Sequence, residues 1–435
     1  MQRPQLAEFM KRMGEDAVAI IAGAREATRS NDTQYRYRQD SDFLYLTGFD
    51  EPEAIAVIAP SHKEQRFTLF VRPRDPEREI WDGRRAGVEG AQKEFGADAA
   101  FPIAEFEEKI DDFLNGATNL YYRIGNGNSE LDEVIVRRIR GLRAAGRRRM
   151  SAPEAIIDPA AIVHEMRLFK TEEEIELMQR AADIGAEGHR EAMKQARPGM
   201  NEYEVEALVE YVFRKRGASA PAYTSIVGGG ANATVLHYIN NDATLRDGDL
   251  LLIDAGAEYR GYASDITRTF PVNGRFTQAQ RDIYDLVLET QTACIERVRP
   301  NASVDDLKNY SIELLTEGMV RLGLLKGETK KLIEEEKYKQ FYMHGLGHFL
   351  GLDVHDVGRY HIKDEARRLE PGMVMTIEPG LYIAPDTKEI PEKYLGIGVR
   401  IEDDILVTED GNHNLSSKAP KRPDEIEELM ASART

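Results

Sequence analysis

The chain has 435 residues, 41% of them hydrophobic and 31% charged, with a formal net charge of −18. That length exceeds what one ordinary hydrophobic core organises, so two domains are expected. The acidic balance excludes nucleic acid and anionic membrane as general partners, and the single cysteine, Cys294, excludes internal disulfides and fits a reducing, cytoplasmic setting.

The opening MQRPQLAEFMKRMGED lacks the apolar stretch and cleavage site of a signal peptide. The apolar run 17–24 is too short to span a bilayer. Strands are expected over 54–59, 67–71 and 119–123 and a helix over 130–143, which together read as a small α/β domain. Trp81, the only tryptophan, sits in EIWDGRR within this part; it reads equally as a core residue or as a residue closing a substrate site, on this or a neighbouring subunit. Residues 137–149 hold seven arginines; with Val134, Val136 and Ile139 as apolar partners they predict an amphipathic helix with a basic, solvated exterior.

The segment SAPEAIIDPAA (151–161) carries two prolines and precedes a capping box formed by Thr171 and Glu174. From there a helix is expected to turn Ile175, Met178, Ala182 and Ile184 toward a core. The boundary is placed at residue 168, giving an N-terminal α/β domain over 1–168 and a second domain over 169–435. The second part predicts helices over 172–196, 202–216, 277–297 and 304–322, and strands over 250–254, 262–269, 373–378 and 399–407. Helices outside a mainly antiparallel sheet make an α+β domain.

The chemistry lies on those strands. In DLLLIDAG (249–256) a doubly buried strand ends at Asp254, and the next strand carries Asp265. A hairpin would bring the two carboxylates together. PGMVMTIEPG (371–380) ends a strand at Glu378, and GIGVRIEDDILV (396–407) sets Glu402 in an apolar run with Arg400 and Asp404 on its face. Singly, each acid is a cap or an ion-pair partner. Together, ionised carboxylates in an apolar sheet lose hydration and repel, so protonation or a cation is required. Four of the nine histidines, His344, His348, His355 and His361, fall within 18 residues. In HGLGHFLGLDVHD (344–356), Gly345 and Gly347 disfavour a helix. An extended chain puts His344 and His348 on one face and His355 out of register. The stretch alone does not choose among them. Several carboxylates with an imidazole form a hard, mostly oxygen donor set, and four acids exceed the need of one ion. Two divalent ions are expected, manganese first, with cobalt, iron or zinc as alternatives; a pair ~3.5–4 Å apart shares a bridging hydroxide and polarises a carbonyl.

The set Asp254, Asp265, His348, Glu378 and Glu402, with IDAGAEYRGYASDITRTFPV, HGLGHFLGLDVHD, TIEPGLYI and GVRIEDDILVT, resembles the five-ligand signature of the pita-bread metallopeptidases. The N-terminal YRYRQDSDFLYLTGFDEPEAI resembles the domain shared by aminopeptidase P and prolidase, and is closer to the former. The resemblance implies a pita-bread catalytic domain over 169–435. Asp254 and Asp265 would hold one metal, with Asp265 also reaching the second. His348 and Glu378 would bind the second, and Glu402 would bridge. Glu378 would be the general base. His237 and His344 would meet the substrate or intermediate, and His355 would contact the scissile carbonyl or shuttle a proton. Tyr382 and Arg400 would support the site. The implied substrates are peptides with proline second, and the implied assembly is a homodimer or homotetramer. Aminopeptidase P is the first reading; prolidase, restricted to Xaa-Pro dipeptides, is the alternative, since both share the metal site. A non-catalytic module on the same fold would have lost ligands, and all five stand here.

Overall fold

The structure, a computed structural model, describes residues 3–146 and 150–434. They fall into two compact units, Met1–Arg167 and Leu168–Thr435.

The first unit is built on a six-stranded mixed sheet in the spatial order Ala99–Pro102, Phe67–Val71, Ile55–Ile58, Ala17–Ala22, Asn119–Tyr121, Ala155–Ile157. The apolar run at 17 forms one of its interior strands, paired antiparallel with Ile55–Ile58 and parallel with Asn119–Tyr121. A strand covered on both faces has no polar alternation, which is why it reads as an unpatterned apolar run. The helix Ser129–Ala144 buries Leu131, Ile135, Ile139 and Leu142, while Val136 is exposed. The buried stripe follows the i, i+4 row; Val134 packs half-buried against the same core as Ile139, and of the three expected apolar partners Val136 alone turns to solvent. Arg137 donates to Glu107 at 3.0 and 2.9 Å, and Arg138 pairs with Asp111. The basic face is thus partly neutralised by the neighbouring helix Phe106–Leu114; Arg147, Arg148 and Arg149 lie outside the described residues. Trp81, on the short helix Pro76–Asp82, is 85% exposed, which removes the core alternative.

In the second unit the capping box forms as expected: the Thr171 amide donates to Glu174 Oε2 at 2.9 Å and the Glu174 amide to Thr171 Oγ1 at 3.4 Å. The helix it starts, Glu172–Gln195, turns Met178, Ala182 and Ile184 inward and leaves Ile175 half-buried. With Glu202–Lys215, Gln278–Ile295 and Val304–Arg321 it packs around antiparallel sheet segments. One comprises Ile226–Gly229, Leu250–Asp254 and Thr267–Pro271; a second, Val374–Ile377, Asp403–Val407 and Asn412–Asn414; Gly380–Tyr382 pairs with Gly398–Arg400.

Two of the expected strands are broken. The run 262–269 divides into Tyr262–Ala263 and Thr267–Pro271, and 399–407 into Gly398–Arg400 and Asp403–Val407. The gaps fall at Asp265 and Glu402. At the first, the Asp265 amide donates at 3.2 Å to both oxygens of the buried Asp404 carboxylate instead of to a ladder. At the second, the Glu402 amide crosses to Thr267 O at 3.1 Å, linking the two half-sheets through one bridge. Period-two reading cannot foresee a ladder broken by a contact between residues 139 apart.

Candidate metal centre

The half-sheets meet at a cavity of about 510 Å³ lined by Asp254, Asp265, His348, Glu378 and Glu402, together with His237, His344, His355 and Arg400. Of the other expected site residues, Tyr382 lies behind this lining, buried, with its hydroxyl 2.9 Å from Arg400 Nη1 and 2.8 Å from His344 Nε2. Trp81 belongs to the first unit. His361, the fourth histidine of the cluster, is exposed and pairs with Asp305.

Asp254, Glu378 and Glu402 are each placed at the cavity by strand position or a specific contact. Asp254 terminates Leu250–Asp254 and stands opposite Thr267. Glu378 directly follows Val374–Ile377, and its amide is tied to Leu346 O at 2.8 Å. Glu402 accepts from Thr267 Oγ1 at 2.6 Å, and Thr267 Oγ1 accepts from Arg400 Nε at 3.1 Å.

The stretch around His348 is extended, as the glycines required, and forms neither helix nor full strand. It follows Val374–Ile377 through Leu350 N to Val374 O (3.0 Å), Thr376 N to His348 O (2.8 Å) and the Glu378–Leu346 bond. Gly347 is demanded by contact: a Cβ there would sit 1.9 Å from Thr376 O. His348 Nδ1 stands 3.0 Å from Phe349 O, a carbonyl that only accepts, so Nδ1 carries the proton and Nε2 turns to the carboxylates. That Nε2 is 3.3 Å from Asp265 Oδ2 and 3.6 Å from Glu378 Oε1. Donor atoms of Asp265, His348 and Glu402 all lie within 4.8 Å of one another.

The electrostatics explain what such a set needs. Burial raises Glu378 to about 7, with the Asp265 and Asp254 charges adding to the rise against His348 and Arg400. Burial and the neighbouring acids also hold Glu402 well above the carboxylate range. Asp265 is raised by burial, against the pull of its His348 bond. Burial opposes protonation of His348, but the Asp265 bond and the Asp265 and Glu378 charges outweigh it and lift it to about 9. Arg400 is the one arginine or lysine among the described lining residues, and it is committed to Asp254 at 2.6 Å. Four carboxylates, three buried and Glu378 half-buried, facing one guanidinium and one imidazole leave negative charge unbalanced, in a donor set of hard oxygens and one nitrogen. Divalent cations fit that set.

Tyr223 carries no sequence signal, yet its hydroxyl lies 2.5 Å from Asp254 Oδ1 and also contacts Asp265 Oδ1. One hydroxyl proton cannot serve two ionised carboxylates at once, which again marks the excess charge. Thr376, likewise unforeseen, accepts from the His348 amide at 3.0 Å and donates to Glu378 Oε1 at 3.3 Å. The Tyr223 contacts and the Thr376–His348 bond join residues distant in the chain, so no local spacing announces them, whereas Thr376 and Glu378 stand only two residues apart.

The three outer histidines differ. His344 is engaged at both nitrogens: Nδ1 donates to Gly345 O at 2.7 Å, so Nε2 accepts from Tyr382. Burial and the Arg400 charge lower it to about 4, so it is neutral. His355 packs edge-on against His348 at 4.3 Å between ring centroids and is lowered by burial and then by the His348 charge. His237 and His355 are exposed at the cavity, and their rings make no hydrogen bond to the described residues.

Comparison with known proteins agrees with this geometry. Residues 176–409 match metallopeptidase family M24, and residues 3–121 match the aminopeptidase P N-terminal domain. The chain is 48% identical to the Xaa-Pro aminopeptidase of Escherichia coli over 98% of its own length and 96% of that protein. It superposes with a TM-score of 0.97 on the Pseudomonas aeruginosa aminopeptidase PepP, at 47% identity, covering 99% of this chain and 97% of that one. For zinc-substituted E. coli aminopeptidase P in complex with product the TM-score is 0.96, at 47% identity, with 99% and 98% covered. With sequence, fold and N-terminal domain in agreement along nearly its whole length, the chain belongs to metallopeptidase family M24, in the aminopeptidase P branch.

Proposed function

We infer that the protein is a Xaa-Pro aminopeptidase, hydrolysing the bond between an N-terminal residue and a following proline. The observation that carries this is the convergence of Asp254, Asp265, His348, Glu378 and Glu402 on one cavity, in a chain nearly half identical to a Xaa-Pro aminopeptidase throughout. Proline has no N–H and its ring crowds the scissile bond, so a general peptidase handles it poorly.

Asp254 and Asp265 would hold one divalent ion, and Asp265, His348, Glu378 and Glu402 complete the pair. When bound, the two ions supply Lewis-acid polarisation of the scissile carbonyl and a nucleophile active near neutral pH. Glu378 receives the proton of the attacking water at a carboxylate oxygen and returns it to the proline nitrogen. Arg400 fixes Asp254 and, through Tyr382, the plane of His344. His237 and His355 donate N–H bonds to the substrate carbonyl as charge develops on it. His344 would join them only by releasing Gly345 O or Tyr382. Manganese is the preferred metal, on the strength of the oxygen-rich donor set. A cytoplasmic location and a homodimeric or homotetrameric assembly complete the reading. Among the described residues no helix is long and apolar enough to cross a membrane.

Manganese-loaded protein given a Xaa-Pro dipeptide and a Xaa-Pro-Xaa tripeptide tests the assignment. Release of the first residue from the tripeptide is expected. Cleavage of the dipeptide alone would make the protein a prolidase, and cleavage of neither would overturn the reading.

A further inference from the structure

We propose that Glu202 is a positioning residue for catalysis: its carboxylate latches both feet of the segment 230–243 and so sets His237 at the cavity. The proposal rests on the reading of that cavity as the peptidase site.

Glu202 opens the helix Glu202–Lys215 and is fully buried. Its Oε1 accepts from the Gly229 amide at 2.7 Å and from Asn232 Nδ2 at 3.0 Å. Its Oε2 accepts from the Tyr238 hydroxyl at 2.8 Å and from the Ala243 amide at 2.9 Å. A carboxylate offers about four acceptor positions, so this one is saturated. Two of the donors precede His237 in the chain and two follow it. The helix start does not need Glu202 as a cap, because Glu204 already accepts from the Asn201 amide at 2.7 Å. Asn241 adds a second fastener, accepting from Val227 N at 3.0 Å and donating to Ser225 O at 2.9 Å.

The crown of the segment is different. Val235 and Ile239 are 53% and 55% exposed, and Leu236, His237 and Ile239 face the cavity. The His237 ring makes no hydrogen bond to the described residues. Within the crown Leu236 and Tyr238 are half-buried, against Ile226, Ala233, Leu252 and Tyr382, and the rest is exposed; its position therefore depends largely on its feet, and the feet meet at one carboxylate. Glu202 reaches no lining acid, so it acts on the substrate side of the cavity and not on the metal side.

Glu202→Gln keeps the volume and removes half of the latch. A carboxamide has one acceptor oxygen, and in either orientation its NH₂ would face a backbone N–H, of Gly229 or of Ala243, which cannot accept. The test uses full-length, manganese-loaded protein. Four quantities are measured: metal content, kcat/KM on a Xaa-Pro-Xaa peptide, amide exchange in 230–243 against 250–271, and the double variant with His237→Ala. For Glu202→Gln we expect unchanged metal content, exchange in 230–243 raised at least about tenfold with 250–271 unchanged, and kcat/KM lowered about tenfold or more. In the double variant the two losses should not add. Unchanged exchange in 230–243, or a kinetic loss that adds in full to that of His237→Ala, overturns the proposal. Tyr238→Phe removes a single donor and is the second variant should Glu202→Gln not fold; a smaller rise in the same exchange is expected, and no rise counts against the latch. If the wild-type protein cleaves no Xaa-Pro peptide, the assigned function falls, while the exchange measurements still judge the latch.

Discussion

HGLGH contains two glycines, and the structure separates them. At Gly347 a methyl would stand 1.9 Å from Thr376 O and 3.0 Å from Thr376 Oγ1. Contacts under 3.0 Å do not survive, so the segment must retreat by about 1 Å or more. Two hydrogen bonds bracket that point, Thr376 N to His348 O and Glu378 N to Leu346 O, both 2.8 Å. Stretching both costs about 1–3 kcal/mol, and the retreat carries His348 Nε2 away from Asp265 and Glu378. Mispositioned ligand imidazoles weaken metal binding by about 10–100-fold. At Gly345 the nearest atom to an added methyl is 4.0 Å away. The expected result is that Gly347→Ala loses about 10–100-fold in manganese affinity by calorimetric titration, with activity falling in parallel, while Gly345→Ala binds as wild type. Equal damage from both substitutions, or wild-type binding by Gly347→Ala, would refute the contact argument.

Other outcomes follow from the same contacts. Removing metal with a chelator should lower the thermal midpoint of the second unit, and manganese should restore it, because bound ions would relieve repulsion among the four clustered acids and favour the folded state that gathers them. Tyr223→Phe deletes the hydroxyl between Asp254 and Asp265; the metal-free protein should lose about 1–3 kcal/mol by denaturant titration, whereas an equal loss in the metal-loaded protein would assign Tyr223 a general packing role. In the first unit, Asp42 is buried and held down to about 2: burial opposes this, but the His164 bond and the Arg167 charge outweigh it. A folded pKa below the unfolded one stabilises above the unfolded pKa, and the contribution disappears as pH falls toward 2. The span corresponds to about 2.5 kcal/mol. Asp42→Asn should therefore lose stability at neutral pH and show a flatter pH dependence below 4 than wild type; an unchanged slope would remove Asp42 from the acid transition.

Much of the site was legible because the anomaly is local. An acid closing a run such as Leu-Leu-Leu-Ile has no comfortable place in an apolar sheet, so Asp254 and Glu378 declared themselves. Long helices with periodic faces and strong caps, such as Glu172–Gln195, were also readable. The choice of His348 over His344 and His355 was not local; it came from the family pattern. Both His344 and His348 turn Nδ1 to the next carbonyl, but Nε2 of His344 meets Tyr382 while Nε2 of His348 faces Asp265 and Glu378.

What the sequence by itself determined is therefore the inventory: which short-range patterns form helices and strands, and which side chains are too polar for their neighbourhood to be idle. Only the tertiary structure decided the rest. The breaks at Asp265 and Glu402 depend on Asp404 and Thr267; Tyr223 finds Asp254 across 31 residues; one carboxylate, Glu202, gathers both feet of a distant segment. The physical reason is range. Propensity and periodicity act within a turn or two of chain, whereas a buried polar atom is satisfied by whichever partner the fold delivers, at any separation.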